Sequence, residues 1–519
     1  MTTHHRHAEG HGKPLILASV CLAAIVLPLS FSGGAVSTPA IGRELGGSAT
    51  SLTWITNAFM LSFGSLLMAA GALADVFGRK RMFTTGIGLF ALFSLALAAA
   101  PSVFWIDVLR ALQGIAAAAA LSGGSAALAQ EFEGHARTRA FSMLGTSFGI
   151  GLAFGPLLAG TLISTFGWRA VFLSTAIVGL IALIFGAPRM RETKDPNAQG
   201  VDWPGTITFT ATLVLFTYGV IEAPELGWGD PLVITLLAAS ALMLLVFVVV
   251  ETRVKRPMLD LSLFKYARFI GVQMLPIGTC YCYIVLIIML PLRFIGVVGL
   301  SEIDAGILMI ALSLPMLVVP AVVATLTRWI SPGVLSGIGF LIAAAGLHWL
   351  SMVDVRATGM TVALPMLLIG VGAGMPWGLM DGLSVSVVPK ERAGMAAGIF
   401  NTTRVAGEGI ALAIVSAILA ALAYTSLTAV AGDTPGISAA RLAEGAQRLA
   451  TGDLARATST LPEIGADRLL AGYGDAFESL LHIMTVITVL SAGAVFGFLS
   501  RTGNSNDDAA LGAAEQTGV

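Results

Sequence analysis

Charge is what this sequence has least of. Asp, Glu, Lys and Arg make up 11% of its 519 residues, where soluble domains carry about 25%. With 56% hydrophobic residues and a mean hydropathy of +0.86, that scarcity excludes a soluble globular protein. Cysteine is also scarce. Cys21, Cys280 and Cys282 all fall in apolar runs, which excludes a disulfide framework and fits small apolar packing residues. No Ser/His/Asp set, phosphate-binding Gly-Lys loop or cluster of metal ligands is present, so neither an enzyme nor a bound cofactor or metal is expected. His4, His5, His7 and His11 sit in a polar tail without an ordered second shell, which favours a solvated segment over a metal site. A cleavable signal is lacking too. The apolar stretch from Pro14 to about Pro39 is too long for a signal-peptide core and has no convincing cleavage site. The net charge of -1 says nothing by itself, and no nucleic-acid partner is expected.

What the chain does have is long apolar runs. A helix needs roughly 20 apolar residues to cross a bilayer. Runs of that kind lie at 14–39, 51–73, 82–100, 103–129, 138–165, 169–187, 203–222, 230–250, 268–291, 303–326, 334–351, 358–385, 394–424 and 475–500. An all-α integral membrane fold with fourteen spans follows, grouped six, two, six by two charged linkers. The implied units are a tail at 1–13, a bundle at 14–187, a linker at 188–202, two inserted helices at 203–250, a linker at 251–267, a second bundle at 268–500 and a disordered tail at 501–519. Basic residues concentrate on alternate connections, Arg79, Lys80, Arg81, Arg189, Arg191, Lys194, Lys390 and Arg392 among them. Short basic connections stay in the cytoplasm, which predicts two cytoplasmic termini in a cytoplasmic (inner) membrane. The segment 425–474 mixes Ala and Leu with spaced charges and reads as one or two short amphipathic helices. A solvated or interfacial connector is the favoured reading there, ahead of a gate.

One connection, GALADVFGRKR at Gly71–Arg81, stands out. Gly71 and Gly78 suit a helix ending closely against a neighbour and turning sharply, and Asp75 and Arg79 are four apart. The pattern G-x-L-A-D-x-x-G-R-K resembles the signature loop between spans 2 and 3 of the major facilitator superfamily. Other pieces then fall into order. Arg110, Gln113 and Gly114 match R-x-x-Q-G in span 4. Gly151, Gly155, Pro156 and Gly160 match the span-5 antiporter motif, whose small residues allow close helix approach and whose proline bends the helix. Together with Trp168-Arg169, the segment around Glu222 and NTTRVAGEG around Arg404, these resemble the fourteen-span drug:H+ antiporter family. The resemblance covers about Pro14 to Ser500. It implies two six-helix bundles around a midplane cavity lined by spans 1, 4, 9 and 12, with two inserted helices, rocking in alternating access. It makes Gly71, Asp75, Gly78, Arg79 and Lys80 a conformational latch in which Asp75 pairs with a neighbouring helix end.

The departures from the family are informative. Its span-1 Asp is replaced by Ser30, and the loop signature has only a decayed counterpart near Arg328. If the chain couples to protons, as the resemblance implies, another acid must carry them. An ionisable group in a span costs about 3 kcal/mol even on insertion scales, so Glu408, Arg404, Asp381, Arg110 and Asp107 each need a reason. Glu408 and Arg404 are spaced i and i+4, as an ion pair or as a proton-carrying acid beside its partner. Asp381 falls in a cavity helix, and Asp107 is placed to partner Arg110 near the end of span 4. Ser30, Gln113, Gln273, Tyr281, Met375, Trp377 and Asn401 are the expected cavity residues, Met and aromatic faces suiting varied apolar shapes. The reading is a monomeric, proton-coupled exporter of amphipathic drugs or toxic small molecules. The alternatives are a dedicated exporter of an endogenous metabolite and a non-transporting receptor.

Overall fold

The computed structural model describes residues 4–132, 134–194, 201–254, 257, 259, 261–388, 393–432 and 437–499. Among them the chain is helical and contains no strand. The first bundle holds α1 (His4–Leu45), α2 (Ala49–Phe77), α3 (Arg79–Ala98), α4 (Val103–Glu131), α5 (Gly134–Phe166) and α6 (Arg169–Gly186). The inserted pair is α7 (Trp203–Leu226) and α8 (Pro231–Arg253). The second bundle holds α9 (Ala267–Val297), α10 (Glu302–Leu326), α11 (Pro332–Ser351), α12 (Met360–Ser386), α13 (Ala393–Ala431) and α16 (Ala466–Leu499). Two short helices, α14 (Ala439–Ala450) and α15 (Leu454–Thr460), precede α16.

Thirteen of these helices are long and apolar enough to cross a membrane, and α5, bent by 41° between Met143–Leu152 and Phe154–Phe166, makes the fourteenth. Pro156 accounts for that bend. Its ring clashes with the carbonyl four residues earlier, which is Leu152. Helix starts follow local chemistry. Asp230 and Ser331 cap α8 and α11 with their side chains, each followed by a proline at the first helical position.

Lipid exposure sorts the spans. Only 17% of the apolar window of α8 is buried, against 89% for α9, so α8 faces lipid and α9 is the core of its bundle. Helix α9 winds as π-helix at Cys280–Ile284 and Leu292–Val297. The other inserted helix, α7, is wedged between bundles. Its Val220 and Ile221 pack on Ala413 and Ala417 of α13, with Trp54 of α2 alongside.

Three expectations need amending. The first helix begins at His4 instead of near Pro14, while the side chains of His4, His5, His7 and His11 lie outside the described residues, as does the tail from residue 500. Segment 425–474 is no free connector: α13 runs on to Ala431, and α14 buries Leu442, Ala446 and Leu449. Gly71 is not a close-approach glycine, because a Cβ there would meet nothing within 4 Å.

Candidate functional site

The chain starts on one face of the bundle pair, called here the proximal face; the α1–α2 turn marks the distal face. Between the bundles Glu408 of α13 lines a cavity of about 20 Å³, room for about one water molecule. Its walls are aromatic: Phe31 from α1, Phe59 and Phe63 from α2, Phe148 from α5 and Trp377 from α12. The bundles touch closely here. A Cβ on Gly64 of α2 would stand 2.6 Å from the Ala406 backbone. The cavity walls are α1, α2, α5, α12 and α13, so of the four helices the resemblance implied α1 and α12 line it and α4 and α9 do not.

Arg404 lies one turn before Glu408 yet does not pair with it. Its Nη1 is 3.3 Å from Asp381 Oδ1, and its Nη2 donates to Asn401 Oδ1 at 2.8 Å. Its guanidinium carbon is 5.8 Å from the ring centroids of Phe148, Trp377 and Phe400, within cation–π reach. Helical spacing permits an i,i+4 contact, but the carboxylate on α12 captures the guanidinium instead. Among the described residues Glu408 has no ion-pair contact, and it shares its aromatic-walled cavity with Arg404.

A second polar cluster lies inside the first bundle. Arg110 is fully buried. Its Nε donates to the Ile55 carbonyl at 2.8 Å, and its Nη1 donates to Ser30 Oγ at 3.0 Å and Gln113 Oε1 at 2.7 Å. Its guanidinium carbon lies 4.4 Å from the Phe59 ring. Gln113 Nε2 donates in turn to Ser94 Oγ at 2.7 Å. Ser30 and Gln113 therefore belong to the packing around Arg110, not to the Glu408 cavity. Asp107 is no ion-pair partner of Arg110 either, and its Oδ1 is buried without a hydrogen bond. Phe59 links the two clusters, since it faces both Arg110 and Glu408's cavity.

The remaining cavity candidates disperse. Gln273 is 3% exposed and neither of its amide atoms has a partner. Tyr281 packs against the second-bundle core. Met375 faces α11, where a Cβ on Gly339 would lie 2.7 Å from it. Trp377 alone of these residues reaches the cavity, while Asn401 holds Arg404.

In the Gly71–Arg81 connection, Asp75 Oδ1 accepts from Arg79 Nη2 at 2.8 Å and from Nε at 3.1 Å across the break at Gly78. Asp75 thus pairs inside its own connection. Gly78 adopts φ +118°, and a Cβ there would come 2.2 Å from Glu192 Oε1. Arg79 N donates to the Thr193 carbonyl at 3.0 Å, so the segment after α6 clasps this turn; Lys80 opens α3 beside it. In α5, Gly151 and Gly155 face α1 at Ile25 and Ser32, whereas Gly160 faces the Glu302 carbonyl of the other bundle.

The distal face is tied shut across the bundles. Arg43 Nη2 and Glu302 Oε1 are 2.8 Å apart. Arg448 and Arg456 donate to the Gly47 carbonyl at 3.0 and 3.3 Å, and Arg456 also reaches the Gly42 carbonyl at 2.7 Å.

The profile of the Major Facilitator Superfamily matches residues 20–412. The chain belongs to the Major Facilitator Superfamily. Its relatives include the puromycin resistance protein pur8 of Streptomyces alboniger, 33% identical over 78% of this chain and 81% of that one. The cephamycin export protein CmcT of Amycolatopsis lactamdurans is 33% identical over 77% of this chain and 83% of that one. Among solved structures, a bacterial homolog of the human lysosomal transporter Spinster, inward-facing and occupied, superposes with a TM-score of 0.62 over 95% of this chain and 98% of that one. At 16% identity that likeness shows the fold alone. The chain is therefore a multi-pass MFS transporter and not an enzyme. Sequence reasoning singled out Glu408, Arg404, Asp381 and Trp377 but missed the Phe31, Phe59, Phe63 and Phe148 walls. The spacing of Phe59 and Phe63, one helical turn apart and 5.7 Å between ring centroids, was the available signal.

Proposed function

We propose that this MFS transporter exports amphipathic small molecules across the cytoplasmic membrane in exchange for protons, by alternating access, with both termini cytoplasmic. The observation that carries this reading is Glu408. Its carboxylate lies between the bundles and is walled by aromatic rings, and the Arg404 guanidinium that shares its cavity is bonded to Asp381 and Asn401. Such an acid can be occupied either by a proton or by the cationic end of an amphipath, whose apolar body the rings accept. Competition between the two supplies the coupling, since each drives the other off the same carboxylate. The distal ties and the small cavity suit a state closed to the outside. Positive-inside bias supports the orientation.

The test is proton movement in proteoliposomes when candidate amphipaths, puromycin first, are added. Wild type should move protons and Glu408→Gln should not; coupling retained in Glu408→Gln removes the reading. A dedicated exporter of one endogenous metabolite is the second reading, favoured by relatives such as the cephamycin export protein whose names tie them to one compound. A screen of compounds against one transporter separates the two by breadth.

A further inference from the structure

A second cavity lies distal to Glu408 and shares no lining residue with it. Its volume is about 60 Å³, space for about four to six water molecules. It is bounded by α1, α2, α7, α9 and α13, and α14 roofs it with Gln447, Ala450 and Thr451. No charged residue lines it. The polar groups are hydroxyls and amides, Thr38, Thr53, Thr56, Asn57 and Ser416 among them, set in apolar walls.

Asn57 decides what this cavity can hold. The residue is fully buried, and its Nδ2 donates to the Thr53 carbonyl at 3.1 Å. A carbonyl only accepts, so this bond fixes which end of the amide is which. Asn57 Oδ1 is left buried without a partner, on a residue that lines the cavity. A buried acceptor left unmade is costly, and the group that satisfies it must bring an N–H or O–H. A cation has no carboxylate here to receive it, and an anion would meet an acceptor oxygen.

We propose that this chamber is an exit site that binds uncharged amphipaths through a hydroxyl or amide donor to Asn57 Oδ1, with α14 as its lid. The lid follows from size. Drug-sized ligands fill cavities of roughly 300–1,000 Å³, so a whole ligand fits only when the chamber widens, and α14 is the roof over it. Polar tethers of that lid toward the α1–α2 turn are the Arg448 bond and, from the adjoining α15, the Arg456 bonds. The assignment deepens the export reading and rests on it for direction, while the binding site itself can be tested apart from transport.

The test uses the full chain in lipid nanodiscs and two probes. Chloramphenicol is uncharged and carries hydroxyl and amide donors; tetraphenylphosphonium is a cation without a donor. Chloramphenicol should bind wild type while a saturating phosphonium concentration is present. Asn57→Leu removes the acceptor and Ser416→Leu fills the opposite wall. Each should weaken chloramphenicol about tenfold, the upper range for one lost hydrogen bond, and change phosphonium affinity less than twofold. If Asn57→Leu does not fold, Ser416→Leu carries the test alone. The proposal is overturned if wild type does not bind chloramphenicol, if the phosphonium displaces it fully, or if the folded variants keep affinity within twofold. Loss of the Glu408 proton response in transport assays would be judged separately: proton coupling that survives Glu408→Gln sinks the export mechanism and leaves this site standing.

Discussion

Asp381, from α12, takes the guanidinium of Arg404 away from Glu408, although Glu408 is one helical turn from Arg404 on the same helix. The Arg404–Asp381 contact is 3.3 Å. Asp381 is 54% exposed at its side chain, while Arg404 is 11% exposed, so the pair reaches from the cavity toward the surface and keeps its charge balance apart from Glu408.

That arrangement separates two acids functionally. Glu408→Gln is expected to abolish proton exchange. Asp381→Asn should free Arg404 to turn to Glu408, neutralise it and slow exchange by about tenfold, the scale of about 1.4 kcal/mol. Proton flux in proteoliposomes checks both. Normal exchange in both variants would remove these residues from the coupling path.

The two glycines of the proximal turn should behave oppositely. Gly78→Ala meets Glu192 at a left-handed φ of +118° and should cost about 1–3 kcal/mol. Gly71→Ala adds a methyl into open helix surface and should gain about 0.5–1 kcal/mol. Thermal unfolding in detergent distinguishes them. Equal melting temperatures would show that the Glu192 contact does not constrain the turn.

Within α5 the glycines act at different interfaces. Gly151→Ala would press on the Ile25 carbonyl, 2.3 Å from the new Cβ, inside one bundle. Gly160→Ala would press on the Glu302 carbonyl at 2.2 Å, across bundles and beside the Arg43–Glu302 pair. Gly151→Ala should lower stability. Gly160→Ala should instead open the distal face, read as faster labelling of a cysteine introduced at Thr53.

The lid should have its own acid sensitivity. Arg441 grips Glu463 with two bonds of 3.0 Å and the Thr460 carbonyl at 2.6 Å. The hydrogen bonds from Arg441 hold the Glu463 carboxyl below its ordinary value of 4.5. A depressed acid contributes its stabilisation above the unfolded value and loses it as pH falls through the folded one. Amide protection factors across 438–460, corrected for the slower intrinsic exchange in acid, should therefore fall in wild type as pH drops below about 4.5. Glu463→Gln should flatten that response. An unchanged profile in Glu463→Gln would assign the acid sensitivity elsewhere.

Arg456→Ala removes two bonds to the α1–α2 turn. Exchange of α14 and α15 amides is expected to rise at least about fivefold, from roughly 1 kcal/mol of partly exposed, charge-assisted hydrogen bonding. Unchanged exchange would mean that apolar packing of Leu442 and Leu449 alone seats the lid.

The sequence by itself determined the membrane class, the run of apolar helices of membrane-crossing length, the bend near Pro156 and the superfamily. These depend on apolar run length, on proline's missing donor and on local motifs, all of which are properties of neighbouring residues. It also marked Glu408, Arg404, Asp381 and Arg110, because a charge in a lipid-length run is conspicuous wherever it points. What it could not decide was partnership. Ser30 and Gln113 looked like cavity residues until the packing of α1 on α4 brought both against Arg110, and Arg404 looked like Glu408's partner until α12 brought Asp381 beside it. The docking of α14 and α15 was equally hidden. Their tethers run to backbone carbonyls at Gly42 and Gly47, some four hundred residues away in the chain, and a carbonyl carries no signature in sequence. Only tertiary packing, which decides which faces of which helices meet, could set Glu408 among aromatic rings and roof the chamber above it.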